Sequence, residues 1–424
     1  MIPKTASTYK DVHPEADEKS NLQHLFSLPV IVAALGYFVD IYDLLLFGIV
    51  RIPSLTSLGL SEWEISTIGV RIINWQMAGL LIGGIFWGVL GDKKGRLSVL
   101  FGSILTYSLA NIGCGFVQDP TSYMVLRFIA GIGLAGELGA GITLVSEILP
   151  KRLRAIATSI VASVGLLGAV FAYFTVEIFA WRYAYFVGGG MGILLLIMRV
   201  GVFESGVFGK IKDQGHIQKG NFFMLFATRE RFLRYLRCIG IGVITWFIIG
   251  IIATFSNEFG VFFGIAQPIQ PGLSIMWCYI GLSVGDLSSG FLSHWLRSRK
   301  KAVLYMILFT LVMTVYFLFV PIKTPFMFYG TLLLLGIGVG YWAMFVTIAA
   351  EQFGTNLRAT AATSVPNMVR GTVILMTMMF VDLKGYMSVR DAAACIGLLC
   401  FIVSISSIWS ISETHDKDLN YVEK

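Results

Sequence analysis

Six ionisable side chains stand inside long apolar runs of this 424-residue chain: Asp40, Asp43, Arg127, Glu137, Asp286 and Arg370. In hydrocarbon each such charge costs at least a few kcal/mol, so it faces a cavity or a partner. Asp40 and Asp43 are three residues apart and project from one face of a helix. Two carboxylates that close favour one shared proton, so the pair can load and release a proton across a gradient. Asp43 lies about seven residues from the end of the first run, roughly 10 Å at helical rise, and Arg127 sits at a similar depth in the fourth. Equal depth makes Arg127 a candidate partner for charged Asp43, and in such a pair protonation of Asp43 frees Arg127. The alternative is a static pair that only fixes helix packing.

Glu137 lies further along the run that holds Arg127, about 280° around the helix. It is a second proton site, a contact for a substrate amine, or a carboxylate bonded within the bundle. Arg370 follows Asn367, and its planar fork suits a substrate carboxylate; the other possibility is neutralisation by Asp286. Tyr42, Trp75, Trp246, Tyr341 and Trp342, with Gln76 and Asn74, are candidates for shaping a substrate site, plain packing being the alternative for each. Gly131, Gly133 and Gly136 have no preceding strand, so close helix packing explains them better than a dinucleotide loop. Neither the five cysteines nor the five histidines show metal-ligand spacing. No metal, cofactor or enzymatic nucleophile–base pair is expected.

These residues have to be positioned by membrane-spanning helices. The chain is 56% hydrophobic and 13% charged, with a mean hydropathy of +0.77, too little charge to coat a soluble protein of this size. Apolar runs near 28–49, 69–90, 98–117, 122–147, 155–176, 183–201, 236–256, 273–293, 302–320, 326–349, 360–381 and 392–412 predict twelve spans. Lipid admits only helices or closed barrels, and the runs are too long for strands. The polar N-terminus lacks the order of a cleaved signal peptide. Basic residues cluster after the second, fourth and eighth runs and in the 202–235 connection, which places both termini in the cytoplasm. The net charge of +7 is then mostly topology, with anionic lipid rather than nucleic acid as partner.

Two stretches repeat about half a chain apart. SEILPKRLRAIATS, with Glu147 and Arg154, aligns with AEQFGTNLRATAATS, with Glu351 and Arg358; GVLGDKKGRL, with Gly88, Asp92 and Arg96, aligns with GFLSHWLRSRKK. Offsets of 204 and 202 residues imply two like-oriented six-helix halves related by an axis along the membrane normal. GVLGDKKGRL resembles the loop 2–3 signature of the major facilitator superfamily. Asp40-Ile41-Tyr42-Asp43, Ala135-Gly136-Glu137-Leu138-Gly139-Ala140 after Arg127, and Glu204-Ser205-Gly206-Val207-Phe208 resemble patterns of its metabolite–proton symporters. There is a slighter similarity to the phagosomal amino-acid transporters of intracellular bacteria.

The resemblance implies a cytoplasmic gate built on Gly88, Asp92 and Arg96, with the Glu147–Arg154 and Glu351–Arg358 pairs adding bridges; topology charges alone are the other explanation. It also implies a central cavity lined by the first and fourth helices. The organisation expected is a tail (1–27), a six-helix bundle (28–201), a connection (202–235), a second bundle (236–412) and a tail (413–424). The function expected is proton-coupled import of a small polar metabolite, first an amino acid and second a carboxylate, by a monomer in a bacterial inner membrane. Proton-driven export of an amphipathic compound is the main rival. The fifth helix, SVGLLGAVFAYF, lacks the Gly-Pro motif expected of such exporters. A non-transporting nutrient receptor is the other alternative.

Overall fold

The computed structural model describes residues 27–94, 96–136, 160–204, 222–354, 356–415 and 423. The expected sites Glu137, Glu147 and Arg154 lie outside these residues. Gly88, Asp92 and Arg96 lie on described helices, but their side chains are outside what is described.

Successive long helices alternate in direction: α1 (Leu28–Ser57), α2 (Glu62–Lys94), α3 (Arg96–Cys114), α4 (Pro120–Leu134) and α6 (Trp181–Glu204), with α5 over Ile160–Ile178 between the last two. The second set is α7 (Arg229–Phe247), α8 (Pro271–Leu296), α9 (Arg299–Phe319), α10a (Pro325–Val339), α10b (Trp342–Glu351), α11 (Arg358–Lys384) and α12 (Val389–Ser410). Ten helical stretches are long and apolar enough to cross a membrane, and Val99–Cys114 is a shorter apolar helix. The fourth span is described as far as the turn at residues 135–136. No strand occurs among the described residues. Large apolar side chains such as Phe291, Trp295 and Trp409 are exposed on the outside of the bundle, where lipid would cover them.

Several helices run past the apolar limits read from the sequence. α1 continues through Pro53 to Ser57, because Arg51 and Ser54 are buried against neighbours rather than hydrated. α7 begins at Arg229, inside the segment expected to connect the halves. Thr228 caps it, and Arg234 binds Glu230 at 2.6 Å and Glu423 at 2.7 Å.

The repeat is visible in the backbone. α4 and α10a are each 15 residues long and each opens with Pro after a capping side chain, Asp119 or Thr324. They begin 205 positions apart (120 and 325) and stop 205 apart (134 and 339). Both carry Gly-Ile-Gly near their ends, at 131–133 and 336–338. The glycines make the same contacts in both halves. A Cβ at Gly79 or Gly83 would strike the α4 backbone at Phe128 or Ile132, and one at Gly281 or Gly285 would strike α10a at Leu333 or Ile337. Without side chains there, the paired backbones touch. Across the molecule α2 packs along α11, and α8 packs against α1 and α5.

Candidate functional site

The α10 span is broken. Its first half ends at Val339, Gly340 and Tyr341 leave helical geometry, and the second half starts at Trp342. A break at membrane depth frees backbone groups, which is tolerated where protein or a cavity receives them. Here Asp286 on α8 receives one: its Oδ1 accepts the Ala343 N–H at 2.9 Å. The Tyr341 hydroxyl donates to the Ile241 carbonyl at 3.0 Å. That bond ties the break to α7 and leaves Trp342 facing inward.

Beside this break lies a small cavity between the two sets of helices, with room for about one water molecule. α1 and α5 contribute Tyr37, Ile41 and Leu166. α7, α8, α10b and α11 contribute Thr245, Trp246, Ile249, Tyr279, Leu282, Trp342 and Arg370. The Trp246 and Trp342 rings meet edge to face at 6.4 Å. The Arg370 guanidinium lies 6.0 Å from the Trp246 ring centre. Buried Trp246 Nε1 and Arg370 Nε and Nη1 have no hydrogen-bond partner. Unbonded donors at a cavity wall are groups that a polar ligand can satisfy, since leaving them unmade is costly.

Arg370 reaches across the molecule. Its Nη2 is 3.5 Å from Asp40 Oδ2, linking α11 to α1, with both residues almost fully buried. The alternative partner from the sequence, Asp286, is engaged at the Ala343 amide instead.

Arg127 departs from expectation. Its Nη1 donates to Asn111 Oδ1 at 2.7 Å, its Nε to Gln76 Oε1 at 3.2 Å, and its Nη2 to the backbone carbonyl of Asp43 at 2.8 Å. It also lies over the Tyr185 ring. The expected bond to the Asp43 carboxylate is not made, because the side chain of Asp43 turns toward α6. A Cβ on Gly188 would overlap Asp43 Oδ1. The side chains facing the Asp43 carboxylate are Asn111, within hydrogen-bonding reach, and the Arg127 charge. Asp43 is thus a buried carboxylate near a guanidinium that is fully engaged elsewhere.

The other candidates are placed as follows. Trp246, Trp342 and Arg370 line the cavity; Tyr42, Gln76, Tyr341 and Asn367 are not part of its lining. Each of those four makes a bond between helices. Tyr42 donates to the Ala184 carbonyl at 2.8 Å and Gln76 to that of Leu44 at 2.9 Å. Asn367 donates to the Ala135 carbonyl at 3.1 Å, at the turn that ends α4. Trp75 is largely exposed on the outer surface, and Asn74 Oδ1 accepts from the Thr377 hydroxyl. Glu351 forms an ion pair with Arg299, and Arg358 is half-buried at the start of α11. Tyr37, Thr245 and Tyr279 were not singled out from the sequence. They read as ordinary core residues, and only the fold brings them to one cavity.

At the end distal to the chain termini, α1 grips the continuation of α7. A π turn (Ile248–Ala253) leads to a short helix (Ser256–Phe262). Arg51 Nη2 donates to the Thr254 carbonyl at 3.0 Å and Asn257 Oδ1 at 3.2 Å, and its guanidinium lies over Phe255. Glu258 accepts from Ser66 on α2 at 3.1 Å and pairs with Lys384 of α11 at 2.5 Å.

A profile described as the Major Facilitator Superfamily matches residues 33–378. The chain belongs to the major facilitator superfamily. It is a multi-pass membrane transporter of a small molecule and not an enzyme. Its relatives include a niacin transporter of Acinetobacter baylyi, 27% identical, covering 78% of this chain and 81% of that protein. A gentisate transporter of Corynebacterium glutamicum is 26% identical, with 77% and 75% covered. Among solved structures, a D-xylose-proton symporter superposes with a TM-score of 0.65 at 16% identity, over 92% of this chain and 99% of that one. The fold is therefore that of the superfamily, with twelve helices.

Proposed function

We propose that this protein imports a small carboxylate, with a flat or aromatic body, in symport with protons. The observation that carries this reading is Arg370: a buried guanidinium at the cavity wall, held on one side by Asp40 and left with Nε and Nη1 unbonded. A substrate carboxylate can take those donors in bidentate fashion. The aromatic walls suit a planar ring. No carboxylate is among the residues lining the cavity, so an amino acid's ammonium group finds less there than its carboxylate does. The niacin and gentisate transporters carry names of ring-bearing acids, which favours the same class. The α5 sequence without Gly-Pro favours import over drug export.

The coupling follows from competition for one guanidinium. While Asp40 is ionised it holds Arg370. Protonation of Asp40 releases Arg370 to the substrate, and proton and substrate then travel together. Asp43, one turn along α1, is the second proton station, with the charge of Arg127 close by. Alternating access closes the distal end through Arg51, Asn257 and Glu258, and the termini end through Gly88, Asp92, Arg96 and their neighbours. Cytoplasmic termini, argued from the basic loops, and a monomer in a bacterial inner membrane complete the proposal.

The test is uptake of labelled benzoate and nicotinate by proteoliposomes. An inward proton gradient should drive accumulation, and Arg370→Gln should abolish it while the protein stays folded. Uptake indifferent to the gradient removes the coupling; uptake that survives Arg370→Gln removes the site.

A further inference from the structure

We infer that Asp286 is a positioning residue of the substrate site: its carboxylate, fixed on α8, caps the buried N-terminus of α10b and so sets where Trp342 stands. The inference rests on the reading of the Trp246–Trp342–Arg370 cavity as the substrate site.

Four observations converge. α10 is interrupted at Gly340 and Tyr341, so the first amides of α10b have no helical acceptor of their own. Asp286 Oδ1 meets one of them, the Ala343 N–H, at 2.9 Å. A carboxylate at a helix N-terminus is favoured both by the hydrogen bond and by the dipole. This cap comes from a residue 57 positions away in sequence, so it fixes α10b to α8 rather than merely ending a helix. Second, the approach is as close as backbones allow. A Cβ on Gly340 would lie 2.5 Å from Gly285 Cα and 2.6 Å from the Leu282 carbonyl. Asp286 follows Gly285 directly, so the same contact delivers its carboxylate to the break.

Third, Trp342 opens α10b, next to the bonded amide, and its ring lines the cavity against Trp246. A shift of the cap is a shift of that wall. Fourth, Asp286 is 6% exposed, and two amides at the start of α10b, those of Ala343 and Trp342, turn to its carboxylate. What they need is an acceptor rather than a charge. An asparagine at this position supplies that acceptor through its amide oxygen.

The experiment compares purified wild type, Asp286→Asn and Asp286→Ala by hydrogen–deuterium exchange over residues 340–348 without ligand, and by benzoate uptake in proteoliposomes. Positioning predicts that Asp286→Asn keeps exchange and the KM for benzoate within about threefold of wild type. Asp286→Ala speeds exchange about tenfold, the scale of a lost cap. It raises KM by a similar factor with little change in maximal rate. If the alanine variant does not fold, Asp286→Ser, whose hydroxyl is too short to reach Ala343, takes its place. Equal exchange in the asparagine and alanine variants overturns the proposal. So does loss of gradient-driven uptake in Asp286→Asn, which makes Asp286 a proton carrier. If wild type transports no benzoate, the carboxylate reading fails, while the exchange comparison still decides whether Asp286 holds α10b.

Discussion

Replacing Asp40 with asparagine separates binding from coupling. Asp40 and Arg370 are 3.5 Å apart and nearly fully buried. At an effective dielectric near 20 their attraction is about 5 kcal/mol. An incoming carboxylate that displaces Asp40 restores an attraction of similar size, so it gains little until Asp40 is neutral. Above the titration of Asp40, each pH unit then adds about 1.4 kcal/mol to the work of neutralising it. Wild type should bind benzoate about tenfold more weakly per pH unit over that range, since benzoate stays ionised throughout. In Asp40→Asn no proton is needed. Affinity should become flat with pH and equal to the strongest wild-type value, while accumulation driven by a proton gradient disappears. Quenching of Trp246 and Trp342 fluorescence reads the affinity, and proteoliposome uptake reads the accumulation. An asparagine variant that keeps the wild-type pH slope, or still concentrates benzoate, refutes the exchange of partners on Arg370.

Four further expectations follow from the packing and the ends of the molecule. Gly336→Ala places a methyl against the Cys278 carbonyl and should destabilise the protein by about 1–3 kcal/mol in thermal unfolding. Gly290→Ala, with nothing within 4 Å, should be neutral or stabilise by up to about 1 kcal/mol. Arg51→Met removes the bonds to Thr254 and Asn257 and should favour opening of the distal end roughly tenfold or more; spin labels at Thr56 and Val261 should report a longer distance. Glu413 is pushed up by partial burial, but bonds from the Ser298 hydroxyl and the His415, Thr414 and Lys300 amides outweigh this and hold its carboxyl below its ordinary value of 4.5. Its stabilisation is complete above that value and is lost as pH falls toward the lowered one. Below pH 4.5 the melting temperature of wild type should therefore fall further than that of Glu413→Gln.

The spans were legible because lipid leaves the backbone few choices, and long apolar runs with charged ends identify them. Arg370, Trp246 and Trp342 were legible as polar or aromatic groups too deep for the headgroup region. Their company was not. Arg370 binds a residue 330 positions away, a pairing that depends on how two helix sets face each other and leaves no local trace. Asp43 was read as the partner of Arg127 at matching depth, and Asp286 as the alternative partner of Arg370. Depth ignores the azimuth that turns Asp43 toward Gly188 and the helix break that claims Asp286. One overlooked signal was available: Gly-Ile-Gly at 131–133 and again at 336–338. Glycine-interrupted spans at corresponding places in two halves point to a central site.

The π turn at Ile248–Ala253 works as a register insert. An extra residue lodged in a helix rotates everything beyond it by about 100°. Here that rotation aims Asn257 and Glu258 at Arg51 and Ser66. Deleting one isoleucine from the turn would rewind the segment to regular helix and swing both side chains away, leaving the rest of α7, with Thr245 and Trp246, in its original phase. The two ends of one helix are thus decoupled except at Ile249, which belongs both to the turn and to the substrate wall.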